Sequence, residues 1–310
     1  MIKNKKLITF KIPATSANIG SGFDSVGLAL NLYNEIHIYE NDNSKKIEFE
    51  IFGEGENEIS KKDNMIYSAM KLVFKKLKSK PNKGYIIKCI NRIPISRGLG
   101  SSSAAIIGGL LCANYMLGDK LSIEKDILNM AVQIEGHPDN VAPAILGGIV
   151  SGVVKKEEDF KYIKIKPPKN LKAIVSIPDF YLSTEIARNI LPKEITRKDA
   201  IFNISRAALL TSALFSNRLD LLEIATEDKI HQDYRAKFIP NLNQLFKETK
   251  KAGAYSVTIS GAGSSILALA KDDKNIIEKV SKAMHYSFKK KNINSVIKVL
   301  NIPTKGIIIN

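Results

Sequence analysis

The stretch that most constrains this chain is a nearly unbroken apolar segment, residues 105–117. It is entered through Pro94-Ile95-Ser96-Arg97-Gly98-Leu99-Gly100-Ser101-Ser102-Ser103-Ala104. An apolar run with no polar face reads as a helix buried on all sides, and such a helix needs a substantial core around it. The loop that feeds it is built from glycine and serine. Small residues let a backbone come close to an anion, the first N–H groups of a helix lack internal acceptors, and the helix dipole favours negative charge there. The hydroxyls of Ser101, Ser102 and Ser103 can add donors or a metal ligand. A glycine-serine turn before a helix is also an ordinary connection, so the loop alone leaves both readings open. Two nucleotide motifs are excluded. A dinucleotide fingerprint needs a third glycine where Ser103 stands, and a P-loop ends in Gly-Lys-Ser/Thr whereas this loop has no lysine.

A buried helix needs a chain long enough to surround it, and 310 residues suffice for two domains. The best linker is Lys166-Pro167-Pro168-Lys169, which divides the chain into 1–165 and 166–310. With 44% hydrophobic and 25% charged residues the composition is that of an ordinary globular protein. Basic residues outnumber acidic ones, 47 to 31, for a net charge of +16. Such an excess suits nucleic acid or an anionic substrate such as a nucleotide. Most of the basic residues are lysines spread along the chain, with modest clusters at 75–83 and 289–291. There is no arginine-rich tract or aromatic-basic interleaving, so the excess reads as solvated surface and no nucleic-acid partner is expected. Cys89 and Cys112 lie far apart in apolar runs, which predicts buried free thiols. Residues 1–6 are basic, but no signal-peptide core follows them, and no apolar stretch reaches the roughly 20 residues that span a bilayer. A cytoplasmic protein without a membrane partner is expected.

Taken in order, Ile8, Phe10 and Ile12 alternate with polar residues, predicting a half-buried strand that ends at Pro13. Residues 13–24, Pro-Ala-Thr-Ser-Ala-Asn-Ile-Gly-Ser-Gly-Phe-Asp, are turn formers and small polar groups. Strands are predicted at 35–40, 47–52 and 85–93, with a helix between the last two capped by Asp63. After the buried helix, Ser122 caps an amphipathic segment ending at Glu135, and Gly136-His137-Pro138-Asp139-Asn140 breaks it. Residues 142–154 are small and apolar and return to the core, and 155–159 form a charged turn. Further on come a strand at 171–177 and a helix to Phe215 opened by a Thr196-x-x-Asp199 box. A helix at 241–251 closed by Gly253 follows, then strands at 255–260 and 264–270 joined by Gly261-Ala262-Gly263. One more helix and a last strand finish the chain. Strands and helices mix without strict βαβ alternation, so the fold class is α+β in two domains.

Three stretches, 13–24, 94–104 and 260–265, together resemble in order and wording the three motifs of the GHMP small-molecule kinases. Pro-Ala-Thr-Ser-Ala-Asn-x-Gly-x-Gly-Phe-Asp, and Glu-Gly-His-Pro-Asp-Asn-Val-Ala-Pro-Ala at 135–144, are the wording of that family's homoserine-phosphorylating branch. Ser183, Thr184, Arg188, His231 and Arg235 also fit it, so the resemblance covers nearly the whole chain. One departure is visible: the family's third motif usually reads Ser-Gly-Ala-Gly-Pro-Thr, and here Ser264-Ser265 replace the last pair, which predicts a changed contact.

The resemblance implies an N-terminal domain of the ribosomal-protein-S5-domain-2 type and a ferredoxin-like C-terminal domain. It also implies transfer of the ATP γ-phosphoryl group to the side-chain hydroxyl of L-homoserine in threonine biosynthesis, by a homodimer. Residues 94–104 with Gly261 and Gly263 would hold the nucleotide, Asn64 would touch adenine, and Ser102 and Glu135 would bind Mg²⁺, which takes oxygen ligands. Glu135 sits at a helix C-terminus, an unfavourable place for an anion, which supports a functional reason for it. Asp24 suits the ammonium group of homoserine, while Arg188 and Arg235 suit its carboxylate through the guanidinium fork. Asn18, His137 and Thr184 complete the acceptor site. Asp139 and Asn140 raise the question of a base: asparagine cannot take a proton usefully, so the hydroxyl would be orientated and deprotonate late. A mevalonate-type kinase of the same superfamily is the nearest rival, separated by Asp24, which a substrate without an ammonium group does not need. A nucleic-acid-binding protein is the rival from another class, and steep salt dependence would be its signature.

Overall fold

The computed structural model describes residues 5–155 and 160–310. It opens with β1 (Lys6–Ser16), β2 (Val26–Asn41) and β3 (Ile47–Gly53). Contrary to the expectation from sequence, β1 does not stop at Pro13. The register against β2 shifts between Pro13 and Ala14, and at such an irregularity a residue without an N–H is tolerated. Residues 26–30 of β2 are buried without alternation, which is why this part of the strand left no period-2 signal. Helix α1 (Met65–Lys76) is capped by Asn64 rather than Asp63: the Asn64 Oδ1 accepts from the Tyr67 N–H at 2.9 Å. Strand β4 (Gly84–Asn91) then pairs parallel to β3 and antiparallel to β2.

The apolar segment forms α2 (Ser101–Met116), buried along nearly its whole length as expected. Ser122 does not cap through its side chain; instead the Asp126 carboxylate accepts the Ser122 N–H, and a π-turn at Ile123–Ile127 leads into α3 (Leu128–Glu135). Gly136, at φ +84°, ends it. Pro138 then opens α4 (Pro138–Leu146), where a missing N–H costs nothing in the first turn. Strands β5 (Ile149–Val154) and β6 (Phe160–Ile165) form an antiparallel pair. Most of the charged turn expected at 155–159 lies outside the described residues.

The second half begins with β7 (Leu171–Pro178), α5 (Thr184–Asn189) and α6 (Arg197–Phe215). The Thr196 hydroxyl accepts the Asp199 N–H, as the capping pattern predicts. Two single-turn helices, α7 (Leu222–Ala225) and α8 (Gln232–Arg235), precede α9 (Leu242–Lys251). Strands β8 (Ala254–Ile259) and β9 (Ile266–Lys271), helix α10 (Lys274–Lys289), strand β10 (Ser295–Leu300) and the short β11 (Ile308–Ile309) follow. The order β10-β7-β9-β8, all antiparallel, is the ferredoxin-like split βαβ arrangement. The other sheet runs β11-β1-β2-β4-β3 with β5 and β6 attached to β2, so the end of the chain returns to the first sheet. The α+β class read from the sequence is the observed one.

Alternation along β7 explains how the two sheets share a core. Ala173, Val175 and Ile177 join the main cluster with α2, whereas Ile174 faces the second cluster with Leu245, Met284 and Phe288. Cys89 and Cys112 are free and buried in the main cluster, and burial pushes the Cys89 thiol up to about 12. What matters for the site is the meeting point of four loops: the entry to α2, the turn after β1, the α3–α4 junction and the β8–β9 turn.

Candidate active site

At the entry to α2, Ser96 (φ +52°), Gly98 (φ +72°) and Gly100 (φ +72°) alternate in the left-handed region with the residues between them. Such alternation turns successive N–H groups toward one side and makes an anion-binding concavity. The carbonyls point the other way and are occupied. Arg97 O accepts from Ser265 N (3.1 Å), Gly98 O from Ser260 Oγ (2.7 Å) and Leu99 O from Thr15 N (3.1 Å). Among the described residues no N–H from Arg97 through Ser103 donates to a protein acceptor. The three sequence motifs are thus bonded into one unit, and Gly261 N donating to Ala17 O (3.0 Å) closes it.

The Arg97 guanidinium lies 3.8 Å from the Tyr181 ring centre, with its Nη1 buried and unpartnered. An unpaired row of N–H groups beside an orphaned guanidinium nitrogen fits a polyphosphate. Ser264 donates its hydroxyl to Phe180 O at 2.7 Å, a bond the family's usual proline cannot make. This is the changed contact that the departure in the third motif predicts.

Beside the loop, Ser102 Oγ and Ser103 Oγ stand 3.0 and 3.1 Å from the same Glu135 carboxylate oxygen. This all-oxygen set matches a hard divalent cation. A cleft of about 310 Å³ runs past these groups. Residues 94–102, Ala104, Gly261, Glu135 and Asn64 line it, together with Asn18, His137, Asn140, Thr184, Arg188 and Arg235. Ser103, Asp24, Asp139 and Gly263 do not line it. Gly263 lies behind the loop, its missing Cβ facing Ile239, Leu182 and Ile259. Asn64 reaches the cleft wall, but both ends of its amide are engaged: Oδ1 caps α1 and Nδ2 donates to Ser60 O at 3.1 Å.

In the same cleft, Arg188 on α5 forks Asp24 with Nη1 at 3.2 Å and Nη2 at 2.8 Å. Burial opposes charge on Arg188, but the Asp24 carboxylate holds its pKa above the usual value. Arg235 on α8 is almost wholly buried, and burial, with Arg188 nearby, brings it down to about 10. Asn18 holds φ +54° and accepts the Asp24 N–H at 2.8 Å, which shapes the turn. Asp139, 2% exposed, has both oxygens committed: Oδ1 to His137 Nδ1 (2.9 Å) and Oδ2 to Asn18 N (3.2 Å). Burial disfavours a charged His137, but the Asp139 partner outweighs it and raises the His137 pKa. Asn140 Oδ1 accepts from Thr15 Oγ1 at 2.7 Å, which turns its NH₂ away from Thr15.

Residues 64–148 match the family description "GHMP kinases N terminal domain" and 210–286 match "GHMP kinases C terminal". A homoserine kinase of Halothermothrix orenii is 42% identical over 98% of this chain and 96% of its own length. One of Carboxydothermus hydrogenoformans is 43% identical over 87% of each. The chain belongs to the homoserine kinase family of the GHMP kinases. Its fold agrees with that assignment: the crystal structure of homoserine kinase from Cytophaga hutchinsonii superposes with a TM-score of 0.87 at 29% identity, covering 100% of this chain and 98% of that one. As a GHMP kinase it uses ATP as co-substrate.

Two further polar residues belong to this GHMP-kinase site and were not singled out from sequence. Thr15 orients Asn140, and it stood in view as one of the two hydroxyl residues of Pro-Ala-Thr-Ser. Asp228 is 7% exposed and accepts the N–H groups of Ile230, His231 and Gln232, capping α8 and so aiming Arg235. An acidic residue three and four positions before His231 and Gln232 was its only signal.

Proposed function

We propose that the chain transfers the γ-phosphoryl group of ATP to the side-chain oxygen of L-homoserine, giving ADP and O-phospho-L-homoserine. The observation that carries this reading is the Arg188–Asp24 pair beside Arg235, with both arginines lining the same cleft as the phosphate loop. An amino acid is a zwitterion, and this is a pre-formed pair of complementary charges. On binding, Asp24 takes the ammonium, while Arg188 and Arg235 take the carboxylate. Mevalonate has no ammonium group to offer Asp24.

Phosphoryl transfer asks for positioning and charge neutralisation rather than covalent help. The free N–H groups of 97–103 and the α2 dipole hold the phosphates. Ser102 and Glu135, with Ser103 sharing the same carboxylate, would hold Mg²⁺, whose contribution when bound is to neutralise phosphate charge. Asn18 and the Asn140 amide orientate the acceptor hydroxyl, and His137 lines the cleft beside them. Asp139 serves as the brace for His137 and Asn18 rather than as a base, because its side chain is fully buried with both oxygens committed to them, whereas that of Asp24 is 33% exposed. The hydroxyl therefore loses its proton late, to the phosphoryl group it joins.

The same reading divides the protein into domains at 1–165 and 166–310 and places it in the cytoplasm, in threonine biosynthesis. It also makes the protein a homodimer, for which Ile201, Ile204 and Phe215 (59, 68 and 76% exposed) on α6 offer an apolar face. A coupled ADP-release assay with L-homoserine, L-serine, L-threonine and mevalonate tests the reaction. Homoserine-dependent release supports it; release with mevalonate alone keeps the superfamily and moves the substrate.

A further inference from the structure

Inside the C-terminal half, one fully buried titratable ring remains that the phosphoryl-transfer account does not use. His231 is 0% exposed and stacks on Phe23, ring centres 5.0 Å apart and 23° between planes. Its Nε2 lies 2.8 Å from Gly20 O, and a carbonyl can only accept, so Nε2 carries the proton. Its Nδ1 lies 3.1 Å from Arg235 Nη1, and a guanidinium can only donate, so Nδ1 is the bare acceptor. The ring is therefore the neutral Nε2–H tautomer, fixed at both ends by chemistry. Burial, with Arg235 adding to it, holds the ring neutral in spite of Asp228 nearby.

We infer that His231 is a positioning residue for acceptor specificity. It ties the turn that carries Asn18 and Asp24 to Arg235 and so sets where the acceptor's carboxylate is held. This deepens the homoserine reading and rests on it. Arg235 Nε donates to Ala187 O and its Nη1 to Gly261 O and His231, each at 3.1 Å. Three acceptors from three segments thus fix Nε and Nη1 of the guanidinium and leave Nη2 for the cleft that Arg235 lines. His231 is the side chain among them, and it bonds the substrate turn at Gly20, whereas Gly261 reaches the start of that turn only through its backbone N–H to Ala17 O. Protonation would remove that acceptor and set an imidazolium against Arg235. The charged groups that face the ring are Asp228 from the turn before α8, Arg235 on α8 and Asp24 from the turn after β1, with Arg188 on α5 acting through Arg235.

The test compares His231→Phe, which keeps the stacked ring and loses both hydrogen bonds, with His231→Gln, which has a donor and an acceptor to restore them. A lost bond to a charged group is worth on the order of 10- to 100-fold. The KM for homoserine should rise by about that factor in His231→Phe, with the KM for ATP unchanged, and His231→Gln should recover most of the loss. An unchanged homoserine KM, or equal rises for homoserine and ATP, overturns the inference. If His231→Phe does not fold, wild-type KM values against pH decide. The His231 pKa is lowered by burial and that of His137 is raised, so the homoserine KM should climb on the acid side of 6.5, below the titration of His137, while the ATP KM holds; no such rise down to the acid limit of folding overturns the inference. Absence of wild-type turnover with homoserine would instead overturn the functional reading, and this inference with it.

Discussion

Gly98 offers a test of how the phosphate loop is held, because its neighbours leave no room for a side chain. A Cβ there would sit 2.1 Å from Ser260 O and 2.9 Å from both Gly263 N and Gly263 O, all backbone atoms. Gly118 has a similar backbone, φ +84° against +72°, but a Cβ would meet nothing within 4 Å. Placing alanine in the left-handed region costs about 1–2 kcal/mol at either position. Only at Gly98 must the two loops also separate, which breaks the bonds from Ser260 Oγ to Gly98 O and from Ser265 N to Arg97 O. Each is worth about 0.5–1.5 kcal/mol net. Gly98→Ala should therefore destabilise by about 2–5 kcal/mol and Gly118→Ala by about 1–2 kcal/mol. Urea unfolding of both variants reads the difference, and the ATP KM should rise only in Gly98→Ala. Equal destabilisation with an unchanged ATP KM would refute the idea that the loops are bonded into one phosphate-holding unit.

Glu135→Gln should lower kcat on the order of 10²-fold and shift the Mg²⁺ requirement upward; an unaltered Mg²⁺ titration would remove Glu135 from the metal site. Asp139→Asn should raise the homoserine KM, by loosening His137 and Asn18, while much of the turnover survives. Abolished turnover with unchanged homoserine affinity would make Asp139 the base. The same pair predicts a pH effect on stability. The His137 pKa is raised in the folded state, so its contribution is full below the unfolded value of 6.5 and is lost as pH rises through the folded pKa. Wild type should therefore exceed Asp139→Asn in stability at pH 6 by more than at pH 8.5, and a constant gap would contradict the ion pair. Cys89 and Cys112 should resist a thiol reagent until the protein unfolds; rapid labelling of the native state would contradict their burial.

Local chemistry was legible in the sequence, and long-range chemistry was not. The Thr196–Asp199 cap and the buried α2 follow from spacing alone and are observed. Asn64 and Asp63 are equally good caps side by side, and only the backbone at Asn64 (φ −135°) decides between them. Pro13 inside β1 contradicts a rule that holds for regular ladders but not at a register shift. In the site, Asp24 and Arg188 are 164 residues apart and His231 and Gly20 are 211 apart. No periodicity connects such positions, so they could be paired in advance only through resemblance to a family. The bond from His231 to Arg235, four residues on, was within reach of helical spacing, but its direction depended on which ring nitrogen Gly20 engages.

The most direct measurement is the position of the phosphoryl group in the product formed from ATP and uniformly ¹³C-labelled L-homoserine, read by phosphorus–carbon coupling in NMR. Coupling of phosphorus to the side-chain carbon that bears the hydroxyl is the predicted result. Phosphorus attached at the carboxylate, or inorganic phosphate without a labelled ester, would contradict the assignment of Arg188 and Arg235 to the carboxylate and of Asn18 and Asn140 to the reacting hydroxyl.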